Sequence, residues 1–525
     1  MYRASVSRAH LHAVMLLSIV GVALPACRGG EAAAGRTATP DLTIPRLPFP
    51  SPATVDPSCA NSAARVVASL RSTLRITAYV TSGHAKLNAF NERVRAVLDG
   101  LRAAGGDVVV VVAIVDTKDP AQAAKAKEAG LQRLEFADAD TDRLSGYLGI
   151  VVEYGAERDS IKLLTPEMDR GLTFWVQNKI VEVRRRAEAS KVTIGILTGH
   201  GEPNLSETTL VLPDSGKPSL RGIIEQYFPH YRFVDVDTKS GAVAIDPSLS
   251  AFLVLQPERD LVDKELDRID DFVLAGKRIA VVASAVNVRA SDSLMHATLS
   301  AHGLEKLLAG YGIEMRRDVV EDFGRPFKVE VMTTTSPTPL AMRFPPILHV
   351  KDDERFTGDE QLLDTGFASF FRIPEIPFPF ASSLVLHPER QPDLKPGALR
   401  ILARSTPTAV RETATDVTLG PLRQWRPKDG TFAQHAVAAV ASGKLRSAFP
   451  PKRATSRGDS RVLVISSSQF FTNPFARAAA PSDSLTTSLV TPYAQQVLTN
   501  TILVAKNTLD WMSMDADLEA CQALP

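Results

Sequence analysis

From residue 75 onward short apolar runs alternate with amphipathic stretches, the pattern of strands and helices taking turns. "RITAYV" (75–80) predicts a strand, 87–105 a helix, "VVVVVAIV" (108–115) a strand and 120–130 a helix. Strand-like segments follow at 132–136, 148–154 and 160–163, and then a helix over 172–187. After the basic break "RRRAEASK" a second series begins, with strands at 192–197, 231–236, 251–256 and 278–284 and helices at 219–228, 263–276 and 303–312. Gly276 stands where a helix would stop before a strand. Between 320 and 452 the regularity breaks, because proline recurs too often for helix interiors or central strands. The pattern resumes with a strand at 461–468 and a helix over 492–514, whose Val497, Ile502, Leu503, Leu509 and Trp511 predict a core-facing side.

This order predicts an α/β protein. Residues 59–188 read as a βαβ opening, a hairpin and a closing helix, compatible with a thioredoxin-like α/β layer. Residues 189–319 and 453–520 read as a doubly wound, mostly parallel, flavodoxin-like sheet, and 320–452 as an irregular β-rich insertion. A chain of 525 residues exceeds what one hydrophobic core usually serves, which agrees with such a division.

Composition adds little to this picture. With 60 basic against 59 acidic side chains there is no bulk electrostatic case for nucleic acid. The N-terminus changes it more. Arg3 and Arg8, the apolar run 11–24 and then "PAC" follow one another in export-signal order, so 1–27 reads as a signal peptide. "LPAC" resembles the lipobox of bacterial lipoproteins, in which the cysteine, here Cys27, is diacylated and becomes the mature N-terminus. Pro25 departs from the commonest small residue there, leaving ordinary secretion cleavage or an uncleaved anchor as alternatives. Residues 28–58, rich in Pro, Ala and Gly, read as a tether. Cys59 and Cys521, near the two ends of the folded body, could form a disulfide or stand as separate thiols.

The candidate chemistry centres on "TGHGEP", which follows the strand at 192–197. Loops beyond the carboxyl ends of parallel strands line the usual ligand crevice, so Thr198, Gly199, His200, Gly201 and Glu202 are candidate ligand contacts. As metal ligands His200 and Glu202 supply at most two donors, and no HExxH or cysteine cluster supplies the rest. No G-x-S-x-G or Cys-x-x-Cys is present, and "SGKP" (215–218) lacks the Ser or Thr and the first glycine of a phosphate loop. The chain should therefore hydrolyse no ATP, and neither catalytic residues, a metal nor a cofactor is expected. "DADTD" (138–142) lacks the glycine and closing Glu of a calcium loop and reads as a solvated turn. The remaining reading of "GHGEP" is a sharp turn that is structural or contacts a ligand.

The ordered set "RITAYVTSG", "YLGIVVEYGAERDSIKLL", "VTIGILTGHGEPNL", "LDRIDDFVLAGKRIAVV", "GLEKLLAGYGIEM", "FPFASSLVL", "RVLVISSSQFFTN" and "AKNTLDWMSMDADL" spans 62–518. It resembles the auxiliary, extracytoplasmic component of an uncharacterised ABC-type transport system, a group that includes gliding-motility-associated auxiliary proteins. Its middle domain is similar to one in intraflagellar transport proteins. The resemblance implies a noncatalytic partner of an ABC permease and ATPase acting outside the cytoplasm; with the N-terminal reading it would be membrane-tethered, periplasmic or on an outer membrane surface, and it could take a small-molecule or carbohydrate ligand. Relatives often carry a transmembrane helix after the segment matching "NTLDWMSMDADL", so attachment here would rest on the lipid at Cys27. "SSSQF" (466–470) stands where a more acidic turn is expected. A different class also fits the residues: an extracytoplasmic carbohydrate-active hydrolase with His200 and Glu202 as an acid/base pair.

Overall fold

The computed structural model describes residues 64–136, 144–206, 219–288, 294–333, 336–371, 373–420, 423–427, 431–450, 452, 454–472 and 484–513. The signal segment with Cys27, the tether, Cys59, Cys521, "DADTD" and "SGKP" lie outside the described residues. The chain is a mixed α/β protein with both parallel and antiparallel strand pairs.

The first layer comprises β1 (Leu74–Val80), α1 (Ala85–Val109), β2 (Val110–Asp116), α2 (Pro120–Glu128), β3 (Arg133–Phe136), β4 (Leu144–Tyr147), β5 (Gly149–Tyr154), β6 (Glu157–Ile161) and α3 (Leu172–Ala187). Its sheet has the order β2-β1-β5-β6, with β1 parallel to β2 and antiparallel to β5. Leu74, Ile76, Ile150 and Val152 on the sheet meet Leu98 of α1 and Ile180 and Val183 of α3 in one buried cluster. Each such side chain contributes about 1.5–3 kcal/mol. Asp119 caps α2 by accepting from the Ala121 amide at 2.9 Å, with Pro120 pre-set for the first turn. Helix α1 runs past Gly105, where the sequence pattern predicts its end. A Cβ at Gly105 would lie 2.6 Å from side-chain atoms of Val67 and Val110, so the missing side chain admits close packing there.

The second series contains β7 (Val192–Leu197), α4 (Leu220–Tyr227), β8 (Tyr231–Val236), β9 (Ala251–Leu255), α5 (Asp263–Leu274), β10 (Arg278–Val282), β11 (Val286–Val288), β12 (His296–Leu299), α6 (Leu304–Gly310) and β13 (Ile313–Met315). It continues through β14 (Val319–Asp322), β15 (Pro326–Thr333), β16 (Ser336–Lys351), β17 (Glu375–Pro379), β18 (Leu384–Leu386), β19 (Leu399–Arg404), β20 (Ala409–Glu412) and β21 (Asp416–Thr418). The last elements are β22 (Ala436–Gly443), β23 (Ser460–Ile465) and α7 (Ser484–Ser513). Five strands, β23-β10-β9-β7-β8, are parallel neighbours in the largest sheet, and β22, β18 and β13 extend it antiparallel, with β19 also on β22. Residues 320–452 thus supply three strands of that sheet as well as smaller sheets of their own.

Contrary to the expectation that proline keeps to edges, β16 is the middle strand of the β15-β16-β17 sheet. Pro345 and Pro346 fall at a register shift of the β15-β16 ladder, between the Phe344 and Leu348 pairings, the kind of irregularity that admits proline inside a sheet. Helix α7 begins at Ser484, before Pro492, and buries Val497, Ile502, Leu509 and Trp511 as the pattern predicts. Leu503 instead is exposed, because the buried stripe passes through Thr501, Val504, Ala505 and Thr508 on the other side.

An ionic network joins α3, β8 and α7. Lys506 Nζ lies 2.8 Å from Glu182 and 2.5 Å from Asp510, while Lys179 Nζ reaches Glu182 at 2.8 Å and Asp159 at 3.1 Å. Tyr231 donates its hydroxyl to Asp510 at 2.6 Å. Beside it His230 is 3% exposed, with no hydrogen-bond partner at Nε2. Burial pushes its imidazole down to about 4, against the opposing pull of the Asp510 carboxylate. A folded-state value below the unfolded one means that this stabilisation is complete above about pH 6.5 and is lost as pH falls toward 4. His230→Phe should remove about 3 kcal/mol of the acid-side decline in unfolding free energy between pH 6.5 and 4. Denaturant melts of both proteins across that range check this, and parallel slopes would contradict it.

Candidate functional site

Strand β7 ends in a turn that only glycine accommodates easily: Gly199 has φ 115° and Gly201 φ 82°. The turn folds His200 inward, leaving the residue 9% exposed. Its Nδ1 lies 3.1 Å from Glu202 and its Nε2 3.0 Å from Glu265, on the first turn of α5. The His200 amide donates to Glu202 at 2.7 Å. Glu265 also accepts from the Thr238 hydroxyl at 2.7 Å and the Val262 amide at 3.1 Å. The sequence places His200 beside Glu202; Glu265 is a partner that spacing alone does not reveal.

The same turn is stitched to the loop after β9. The Glu258 amide donates to the His200 carbonyl at 2.8 Å, and Arg259 donates to the Gly199 carbonyl at 2.6 Å. β7 is where the strand order reverses, with β8 on one side and β9 on the other, the position where open α/β sheets bind ligands. Here the two loops close against each other, and the opening lies farther along the sheet, beyond β9, β10 and β23.

That opening is a cleft of about 300 Å³. Of the sequence-predicted contacts, Thr198, Gly199, His200, Gly201 and Glu202 do not line it; Pro203, the next residue, does. Its polar wall comes from Gln256, Glu258, Asn287, Thr298, His302, Ser468, Gln469 and Thr472. Gln256 accepts from the Ser284 amide at 2.8 Å and donates to Asn287 Oδ1 at 2.9 Å. Asn287 donates in turn to the carbonyls of Ala285 at 3.1 Å and Ser300 at 2.8 Å. His302 contacts Asn287 Oδ1 through Nε2 at 3.1 Å and Asp260 through Nδ1 at 2.7 Å. Its backbone is left-handed, φ 52°, strain of the kind that clusters at functional sites. These residues come from separate loops and, for Asn287 and Thr298, from β11 and β12, so no motif announced them; the one usable signal was the position of Gln256 and "SSSQ" just past strand ends.

Among the described residues no group of three or more His, Cys, Asp or Glu side chains is arranged to hold a metal ion. Nor is any described helix long and apolar enough to cross a membrane.

The fold and this cleft define a mixed α/β protein with a polar crevice at the carboxyl ends of its parallel strands. More particularly, the chain belongs to the family of auxiliary components described as ABC-type uncharacterized transport system, whose family model matches residues 191–501. The matched span begins just before β7, so the first layer lies outside it. No curated protein matches the chain. Among solved structures, the mmIFT52 N-terminal domain is similar at 10% identity and a TM-score of 0.32, covering 61% of this chain and 98% of that one. Family membership makes this chain an auxiliary component of an ABC-type transport system.

Proposed function

We propose that the protein is a noncatalytic, membrane-tethered auxiliary subunit that binds a ligand outside the cytoplasm for an ABC permease and ATPase. The family match over 191–501 carries this reading. The export-type N-terminus and "LPAC" at Cys27 support the tether and the compartment. A doubly wound, flavodoxin-like reading of the sheet is supported by its parallel strands, which in chain order run 2-1-3-4-5. The parallel β1-β2 pair around α1 supports the thioredoxin-like reading of the first layer. As an acid/base pair His200 and Glu202 would need access to substrate, yet both ring nitrogens already face carboxylates in a buried turn. The hydrolase alternative therefore gains nothing from the geometry.

The test is affinity purification of the tagged full chain from native membranes, with mass spectrometry of what accompanies it. A permease and an ATPase should copurify, and the same spectra should show an acylated Cys27 as the mature N-terminus. Recovery without either transport subunit would contradict the proposal.

A further inference from the structure

Ser468 is 5% exposed and lines the cleft, yet its Oγ has no hydrogen-bond partner. A buried hydroxyl left unsatisfied is destabilising, and folded proteins rarely keep one without a reason. Next to it the Gln469 side-chain amide, half-buried, makes no hydrogen bond among the described residues. By contrast three other polar groups of the lining are engaged: Gln256 with Ser284 and Asn287, Asn287 with His302, His302 with Asp260. The cleft therefore has a fixed polar floor with unmet hydrogen-bonding capacity at Ser468 and Gln469, the arrangement of a pre-formed small-molecule site.

The chemistry of the lining selects the ligand class. Among the described residues no Lys or Arg lines the cleft, so a phosphate or carboxylate would be desolvated without a compensating cation, and the one lining carboxylate, Glu258, is exposed to water rather than set among the unmet groups. The unmet groups are a hydroxyl and an amide, each both donor and acceptor, which match ligand hydroxyls that are also both. Val286, Val288 and Pro203 add apolar surface suited to the C–H faces of a ring or chain. A volume of about 300 Å³ is at the small end of ligand pockets and limits the occupant to one compact molecule.

We infer that this cleft is a binding site for a small, neutral, polyhydroxylated molecule, a sugar or polyol, held by hydrogen bonds to Ser468 and Gln469. The inference rests on the ligand-binding part of the function proposed above and names the class of ligand. Titration calorimetry of the full chain with glucose, galactose, maltose and mannitol, and with inorganic phosphate, glutamate and lysine, tests it. At least one neutral probe should bind saturably. Ser468→Val should weaken that binding at least tenfold while leaving the melting temperature unchanged or higher, since it removes an unsatisfied buried hydroxyl. Gln469→Ala should weaken the same probe. No binding by any neutral probe, unaltered binding by Ser468→Val, or preference for a charged probe would each overturn the inference. Ser468→Val leaves the outer surface intact, so copurification with the permease and ATPase should persist. A lost complex and a lost ligand site are thereby read separately.

Discussion

Lys506→Met should lower the unfolding free energy by about 3–5 kcal/mol, the usual cost of removing one partner from a buried ion pair. Methionine keeps the length of the aliphatic stem, so the loss would report charge rather than a cavity. Burial alone would push the ammonium down, but the Asp510 and Glu182 carboxylates hold it above the usual lysine range. Burial likewise works against the Glu182 carboxylate, which Lys506 and Lys179 hold well below its usual range. Without Lys506, Glu182 retains Lys179, but Asp510 is left with only the neutral donors Tyr231 and Asn178. A second replacement, Asp510→Leu, should recover part of the loss by removing the stranded charge. Equilibrium denaturation of the three proteins measures both effects, and a single-variant loss below about 1 kcal/mol would contradict the account. What the network accomplishes is to fasten α3 of the first layer to α7 and β8 of the second.

His200→Ala should destabilise the fold by about 3 kcal/mol. The imidazole stands between Glu202 and Glu265, whose side chains are 3% and 2% exposed, and its removal leaves two carboxylates buried without their shared partner. A structural histidine and a catalytic one differ in this measurement. A catalytic acid or base, once removed, leaves stability nearly intact and abolishes turnover; here the stability should fall. A His200→Ala protein as stable as the parent would contradict the structural role of the turn.

Much of the second series was legible because its strands are continuous apolar runs, the signature of strands buried on both faces. "AFLVL" is fully buried in β9, and "RIAVV" nearly so in β10. The "GHGEP" turn was equally legible, since two glycines flanking a polar residue supply the positive-φ backbone that a sharp turn needs. Its inward orientation was not, because Glu265 lies one helix away and the contact depends on how α5 docks. The cleft was hidden for the same reason: Gln256, Asn287, His302 and Ser468 are brought together by the order of β9, β10 and β23 in the sheet, which local spacing does not encode. Lys506 has Asp510 four residues on, a pair that helical spacing offers, but its other partner, Glu182, is on another layer and no local spacing points to it. Residues 320–452 are rich in strands, and what their prolines concealed is that one of those strands, β16, is central to its sheet, with Pro345 and Pro346 at an irregularity of its ladder with β15.

The central claim is that this chain holds a ligand and a complex together while another subunit breaks the phosphoanhydride bond. ATP hydrolysis in material immunoprecipitated through the tagged full chain from native membranes tests it most directly. The account predicts hydrolysis in the precipitate and none in the chain after the accompanying subunits are stripped away. Hydrolysis that stays with the isolated chain, or its absence from the precipitate of intact membranes, would contradict it.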